Sequence, residues 1–257
     1  MNQSERRNYL IQKLLEEQPQ YAKMQIPGRC EEQKMLLRSL MNIRMPGKIN
    51  KEVQQIQDAY LAEENAAKGV VTPADMEELS PEIYLWKGDI TRLQVGAIVN
   101  AANSGMTGCY QPCHNCIDNC IHTYAGIELR NYCNDIMQRQ GYAEPTGQAK
   151  ITPAFNLPCD YVIHTVGPIV RGKLTAEHER LLVSCYEACL RIAEENNIES
   201  IAFCCISTGV FMFPNERAAE LAIQTVKQYK DRTKSKIKVI FNVFKEEDER
   251  IYRRFLG

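Results

Sequence analysis

Hydrophobic and polar positions divide the chain into two textures. Up to about residue 80 the apolar residues recur at helical spacing: Tyr9, Leu10, Leu14 and Leu15, then Met35, Leu36, Leu37, Leu40 and Met41. Pro27-Gly28 and Pro46-Gly47 punctuate these runs. A third helix is predicted from Glu52 to Lys68, with Ile56, Tyr60 and Leu61 on one side and Gly69 suited to its C-terminal cap. From Ile83 the texture changes to short apolar runs alternating with helical patterns. IYLWKGDI, GAIVNAAN, AKITPAF, YVIHTVG, SIAFCCIS and IKVIFNVF read as strands. Helices are predicted over Asp118 to about Gln140, closed by Gly141, and over Thr175 to Asn196 with Thr175 as N-cap. Two more are expected from Pro214-Asn215 through Lys230 and over Glu246 to Phe255. The expected organisation is a helical extension over residues 1–80 and an α/β domain over residues 81–257, with a largely parallel, two-sided sheet.

In such sheets the ligand crevice lies at the carboxyl ends of the strands. Four strand ends here carry unusual residues. Gly88-Asp89-Ile90-Thr91 places a carboxylate after a glycine, which alone is also an ordinary capping turn. Asn100 and Asn103 are poor strand formers at a strand end, suited to hold loop backbone or a ligand. Ser207-Thr208-Gly209-Val210-Phe211-Met212-Phe213-Pro214 joins a strand to a helix with small residues that let backbone N–H groups approach a phosphate. It is not a P-loop, since no Gly-Lys-Ser/Thr follows, and no GxGxxG occurs in the chain. The fourth, Cys109 to His122, reads CYQPCHNCIDNCIH and packs four cysteines and two histidines into a strand-to-helix loop and the start of the helix.

Composition narrows what these sites serve. The 257 residues are 44% hydrophobic and 25% charged, as for an ordinary globular chain. A formal net charge of -1 provides no basic field for a nucleic acid backbone. No apolar run approaches the length that crosses a bilayer, and the N-terminus lacks the apolar core of a signal peptide, so a cytosolic protein is expected. In that compartment eleven cysteines read as free thiols or metal ligands. Cys185, Cys189, Cys204 and Cys205 read as packing residues in apolar surroundings.

Zinc favours thiolate and imidazole ligands, and a catalytic zinc keeps three protein ligands and one open position. Cys109, His114 and Cys116 provide such a set on a loop stiffened by Pro112, with Cys113 and Cys120 as further thiols. His122 lies in the following helix and reads as a packing residue or a partner to a ligand. Cys109, Cys113 and Cys116 also reproduce the CxxxCxxC spacing of radical enzymes with an iron–sulfur cluster. Those enzymes need a large barrel after the motif, and only 141 residues follow Cys116 here.

In their order and spacing, GDIT at Gly88, IVNAAN at Ile98, IH-x-x-AG at Ile121 and ISTGVFMFP at Ile206 resemble the signature segments of the macrodomain family. The resemblance covers Ile83 to the C-terminus. It implies a three-layer α/β/α sandwich with a mixed central sheet, and binding of ADP-ribose. By the same resemblance Asp89 accepts a hydrogen bond from the adenine amino group, and Ile90 and Ile117 line the ligand. Asn103 contacts the distal ribose, and Ser207, Thr208, Gly209, Val210, Phe211 and Met212 wrap the diphosphate through backbone N–H groups. Phe211 or Phe213 packs against sugar or base. MTGCYQPCHNC replaces the glycine-rich run of most hydrolytic relatives, which resembles the zinc-containing subfamily and favours Cys109, His114 and Cys116 as ligands of one Zn2+. Asp118 matches the acidic residue of the hydrolytic relatives, with its helix N-cap role as the plain alternative; it and Asn103 are the expected catalytic residues. The implied activity is removal of ADP-ribose from protein side chains, through ester linkages to Asp or Glu. The implied partners are a sirtuin-type transferase and a lipoyl-carrier protein. A reader of ADP-ribose with a structural zinc is the alternative.

Overall fold

The apolar runs from Ile83 onward form the five inner strands and one edge strand of a mixed sheet. The structure, a computed structural model, describes residues 1–21 and 23–257. Its strands are β1 (Glu77–Ser80), β2 (Ile83–Lys87), β3 (Ala97–Ala101), β4 (Ala149–Pro153), β5 (Tyr161–Thr165), β6 (Ser200–Phe203) and β7 (Lys238–Val243). They lie in the order β1-β2-β7-β6-β3-β5-β4. The five inner strands are parallel, and β1 and β4 pair antiparallel at the two edges. β3, β6 and all but the first residue of β7 are buried or nearly so, which is why they read as continuous apolar runs. Pro153, which cannot donate to a ladder, ends the edge strand β4.

The helices are α1 (Gln3–Glu16), α2 (Cys30–Ile43), α3 (Lys51–Ala67), α4 (Ile117–Ala125), α5 (Ile127–Gln140), α6 (Ala176–Glu195), α7 (Asn215–Thr233) and α8 (Glu246–Leu256). α6, α7 and α8 pack side by side as one layer, and α4 and α5 pack against β3 and β4. The result is the expected three-layer sandwich. Thr175 caps α6 with a reciprocal capping box.

Two expectations about elements need correction. The single helix expected from Asp118 to Gln140 is two, broken at Gly126 with φ of +103°. A side chain there would collide with Gln57 of α3, whose amide oxygen accepts the N–H of Ile127 at 2.9 Å. The break is therefore filled from the N-terminal segment. Strand β1 was also not expected, because Glu77-Glu78-Leu79-Ser80 is mostly polar and lies at a solvated edge.

α1, α2 and α3 bury a hydrophobic cluster of their own, including Leu10, Leu14, Leu37, Leu40, Tyr60 and Leu61. Among the described residues of the sandwich, only Ile127 of α5 enters that cluster as a buried member. Polar contacts do the rest of the docking. The buried guanidinium of Arg130 in α5 donates to the carbonyls of Met41, Asn42 and Arg44 at 3.2, 2.6 and 2.6 Å, satisfying the open end of α2. Among the described residues no helix is long and apolar enough to cross a membrane.

Candidate active site

The parallel strands deliver their carboxyl ends to one rim in the order β2, β7, β6, β3 and β5. At about 4.8 Å per strand step, the rim from β2 to β3 spans about 14 Å. Each sequence motif occupies a distinct part of it.

After β2, Asp89 caps a 3-10 turn, accepting from Thr91 N–H at 3.0 Å and Thr91 Oγ1 at 2.7 Å through one oxygen. Its other oxygen lies 3.8 Å from the ammonium of Lys68 at the end of α3, so the capping and binding roles are compatible. Lys68 also sits 2.7 Å over the ring centroid of Tyr124, and burial lowers its pKa to about 8 against the pull of Asp89. Ile90 is buried beneath the turn. Beside it, Phe244 follows β7 and is 77% exposed. The register Lys87–Val243 and the Gly88 N–H to Val243 carbonyl bond place Phe244 next to the Gly88-Asp89 turn. The sequence signal for Phe244 was hidden, because it closes an apolar strand and looks like its last core residue.

The loop after β6 turns through two left-handed residues, Ser207 at φ +66° and Met212 at φ +56°. Thr208 and Met212 N–H groups are spent inside it, on the Cys205 and Gly209 carbonyls. The N–H groups of Gly209, Val210 and Phe211 meet no protein acceptor among the described residues and are free to donate to an anion. Phe213 is 1% exposed and belongs to the core, which removes it as a ligand contact and leaves Phe211, half-buried in the loop. Val210 and Met212 are exposed on the same loop.

Beyond β3 lies the densest chemistry. Asp118 is buried near the start of α4 but does not cap it; Cys116 does, accepting Asn119 N–H at 3.4 Å. Asp118 instead faces inward. Asn100 Nδ2 donates to one carboxylate oxygen at 2.8 Å and Asn103 Nδ2 to the other at 3.2 Å. Burial raises the Asp118 pKa to about 6, opposed by those two amides and the Arg130 charge. Asn103 also donates to the Gly108 carbonyl at 3.1 Å, tying the loop to the carboxylate. Ile117 is half-buried between Cys116 and Asp118.

Cys109, His114 and Cys116 bring their ligand atoms within 4.8 Å of one another, with Cys109 Sγ and His114 Nδ1 3.6 Å apart. A tetrahedral zinc about 2.3 Å from sulfur and about 2.05 Å from nitrogen would hold such a pair about 3.6 Å apart, so this donor set fits the ion. Burial pushes the Cys116 thiol up to about 12, while the Asn119 N–H it accepts pulls the other way. Uptake of a metal must therefore displace a proton, and the start of a helix favours the thiolate left behind. The remaining thiols turn elsewhere. Cys113 Sγ lies 3.2 Å from Ser39 Oγ, and Cys120 Sγ 3.6 Å from Arg38, so the CxxxCxxC set does not converge.

His122, Cys133 and His164 also gather their donor atoms within 4.8 Å, fully buried. Both His164 nitrogens are already engaged, with Asn100 Nδ2 at 3.1 Å and Thr152 Oγ1 at 3.0 Å, and the Arg130 charge acts on His122. The group is the polar floor under Asp118, whose Oδ1 lies 3.5 Å from His122 Nε2. Burial lowers His164 to about 3 and His122 well below its ordinary 6.5, so both are neutral in the folded protein. Below pH 6.5 the unfolded chain takes up protons that these folded histidines refuse, and stability falls as pH drops toward 3. Asp118 acts oppositely between pH 6 and 3.8, where the folded state takes up the extra proton, but it is one group against two. Metal-free protein is expected to melt at a lower temperature at pH 5 than at pH 7, and His164→Gln to shrink that difference. An equal drop in the variant would count against the assignment.

Comparison with known proteins bears on the family and the fold. The Macro domain family profile matches residues 99–222. The chain is 56% identical over 261 residues to the protein-ADP-ribose hydrolase of Treponema medium, covering all of both chains. Its fold superposes on the Oceanobacillus iheyensis macrodomain with ADP at a TM-score of 0.62 and 34% identity, covering 70% of this chain and 93% of that one. For the Trypanosoma brucei macrodomain in complex with ADP-ribose the TM-score is 0.66 at 26% identity, covering 86% and 95%. The chain belongs to the macrodomain family.

Proposed function

We propose that this macrodomain is a zinc-dependent hydrolase that removes ADP-ribose from modified protein side chains, with ester linkages to Asp or Glu as its substrates. The observation that carries the reading is the meeting of Asp118, Asn103 and the Cys109–His114–Cys116 cluster at one end of the strand rim. The relatives bearing the name protein-ADP-ribose hydrolase support the activity, and macrodomain structures with ADP and with ADP-ribose support the ligand. The rim supports the same orientation: Asp89 and Phe244 at one end for the base, free N–H groups of the β6–α7 loop in the middle for the diphosphate, and Asn103 and Asp118 at the far end for the distal ribose.

Bound zinc would supply Lewis-acid polarisation of an oxygen at the distal ribose. The protein's own groups do the rest. Asn103 fixes one edge of the Asp118 carboxylate and Asn100 the other, so the carboxylate meets the substrate in one orientation. With a pKa raised to about 6 it is a stronger base than an ordinary Asp and still ionised at neutral pH, fitted to orient or deprotonate a water. A cytosolic setting suits eleven free cysteines, and a lipoyl-carrier protein modified by a sirtuin-type transferase is the proposed physiological substrate.

Incubation with a protein carrying an ADP-ribosyl ester tests the reading. Loss of the label that a zinc chelator blocks is the expected outcome. Tight binding of ADP-ribose with no loss of label would instead establish a reader with structural zinc. Phe244 provides a second test. Stacking of a base on an aromatic ring is worth about 1–3 kcal/mol. Phe244→Ala is expected to weaken ADP-ribose binding about 5- to 150-fold by calorimetry, and an unchanged affinity would remove Phe244 from the site.

A further inference from the structure

One face of α2 lies against the loop from Cys109 to Cys116. Only one backbone hydrogen bond closes within that loop, from His114 N–H to the Gln111 carbonyl at 3.2 Å. Its shape is supplied from outside. Arg38 Nη2 donates to the His114 carbonyl at 2.7 Å and to Asn119 Oδ1 at 2.9 Å. The Asn119 amide, so oriented, donates from Nδ2 to the carbonyls of Gln111 at 2.9 Å and Cys109 at 3.3 Å. One turn further along α2, Asn42 Oδ1 accepts Cys113 N–H at 2.9 Å, and its Nδ2 donates to Thr123 Oγ1 at 2.9 Å. Arg38, Ser39 and Asn42 share one helix face by their spacing. Arg38 Nε is buried without a partner among the described residues, so the Nη2 group carries the hydrogen bonds of this side chain.

Resting on the zinc reading above, we propose that Arg38 is a positioning residue for the metal site. It fixes the backbone of His114 directly and that of Cys109 through Asn119, which makes the N-terminal helices a working part of the site. The geometry explains why the residue is an arginine. A single Nη group donates to two acceptors from different segments, and the planar head limits how those acceptors can rotate. Groups that orient metal ligands without touching the metal typically change metal affinity by about 10- to 100-fold when removed.

The test compares Arg38→Met with Lys34→Met, which lies on the same helix but pairs with Glu64 of α3. Three readouts apply: zinc affinity by competition with a chromophoric chelator, the visible spectrum of the cobalt-substituted protein, and hydrogen exchange of amides 109–116 without metal. Arg38→Met is expected to weaken zinc binding about 10- to 100-fold, to alter the cobalt spectrum and to speed exchange in the loop. Lys34→Met should change none of these. Should Arg38→Met fail to fold, Arg38→Gln, with a polar head too short to span both acceptors, carries the same expectation. Wild-type protein that binds zinc, with an Arg38 variant of equal affinity and unchanged loop exchange, overturns the role of Arg38 alone. Wild-type protein that takes up no zinc overturns the zinc reading, and the role of Arg38 with it.

Discussion

Replacing Cys116 by alanine is expected to strip the protein of zinc and lower turnover of an ADP-ribosyl ester by about a thousandfold or more, while the sandwich still unfolds cooperatively. Lewis-acid stabilisation by a bound metal amounts to several kcal/mol, and each 1.36 kcal/mol is about a tenfold in rate. Two remaining ligands, Cys109 and His114, would not hold the ion at working concentrations. Cys116 also caps α4, and loss of a cap costs about 1 kcal/mol. That cost leaves the fold intact, because Ile121 and Ala125 of α4 remain buried in the main core. Cys116→Ser separates the two roles. A hydroxyl caps a helix well but is a poor zinc ligand, so Ser should match the alanine variant in activity and the wild type in metal-free melting temperature. Metal analysis beside a turnover assay reads both. Native turnover in the alanine variant would end the catalytic-zinc reading.

The second large effect is expected at Asp118. Asp118→Ala should lower turnover by about 10²- to 10⁴-fold, the range for a positioned acid or base, without loss of zinc. The retained metal is what distinguishes it from the cysteine variants. Stability should change little, because two effects oppose. The carboxylate is buried against its preference, as its raised pKa records, and its removal relieves that penalty. The same change removes one acceptor from each of the Asn100 and Asn103 amides, at about 1–3 kcal/mol for each buried N–H left unpaired, while their bonds to His164 and to the Gly108 carbonyl remain. Single-turnover kinetics with metal-loaded protein is the measurement. A variant that hydrolyses the ester at the native rate would reduce Asp118 to a structural carboxylate.

Much of the site was legible because its chemistry is local. The density of thiols and imidazoles after a strand marked the loop on which Cys109, His114 and Cys116 converge, and the asparagines at the end of β3 were conspicuous as poor strand formers. What stayed hidden depends on three-dimensional context. Arg38 and Lys68 lie on amphipathic helices, where a charge reads as a solvated face; only the packing of α2 and α3 turns them toward the loop and toward Asp89. Gly126 sits inside a continuous helical pattern, and its break shows only in a positive φ filled by Gln57. Strand β1 has too few apolar residues to announce itself, and Phe213 and Phe244 exchange their apparent roles. The aromatic near the loop is core, while the aromatic closing a strand is exposed.

The separate hydrophobic cluster of α1–α3 bears on how the chain is made. A ribosome delivers residues in order, at roughly 5–20 per second. The three N-terminal helices, which end at Ala67, are therefore synthesised several seconds before Cys109, with Asn119 and Ile127 following shortly after it. Their apolar residues already have one another as partners. Vectorial synthesis thus produces the face bearing Arg38, Ser39 and Asn42 ahead of the thiol-rich segment it receives. The newborn loop meets a surface that can draw it into its folded shape, through Arg38 and Asn42, before its several cysteines find other partners.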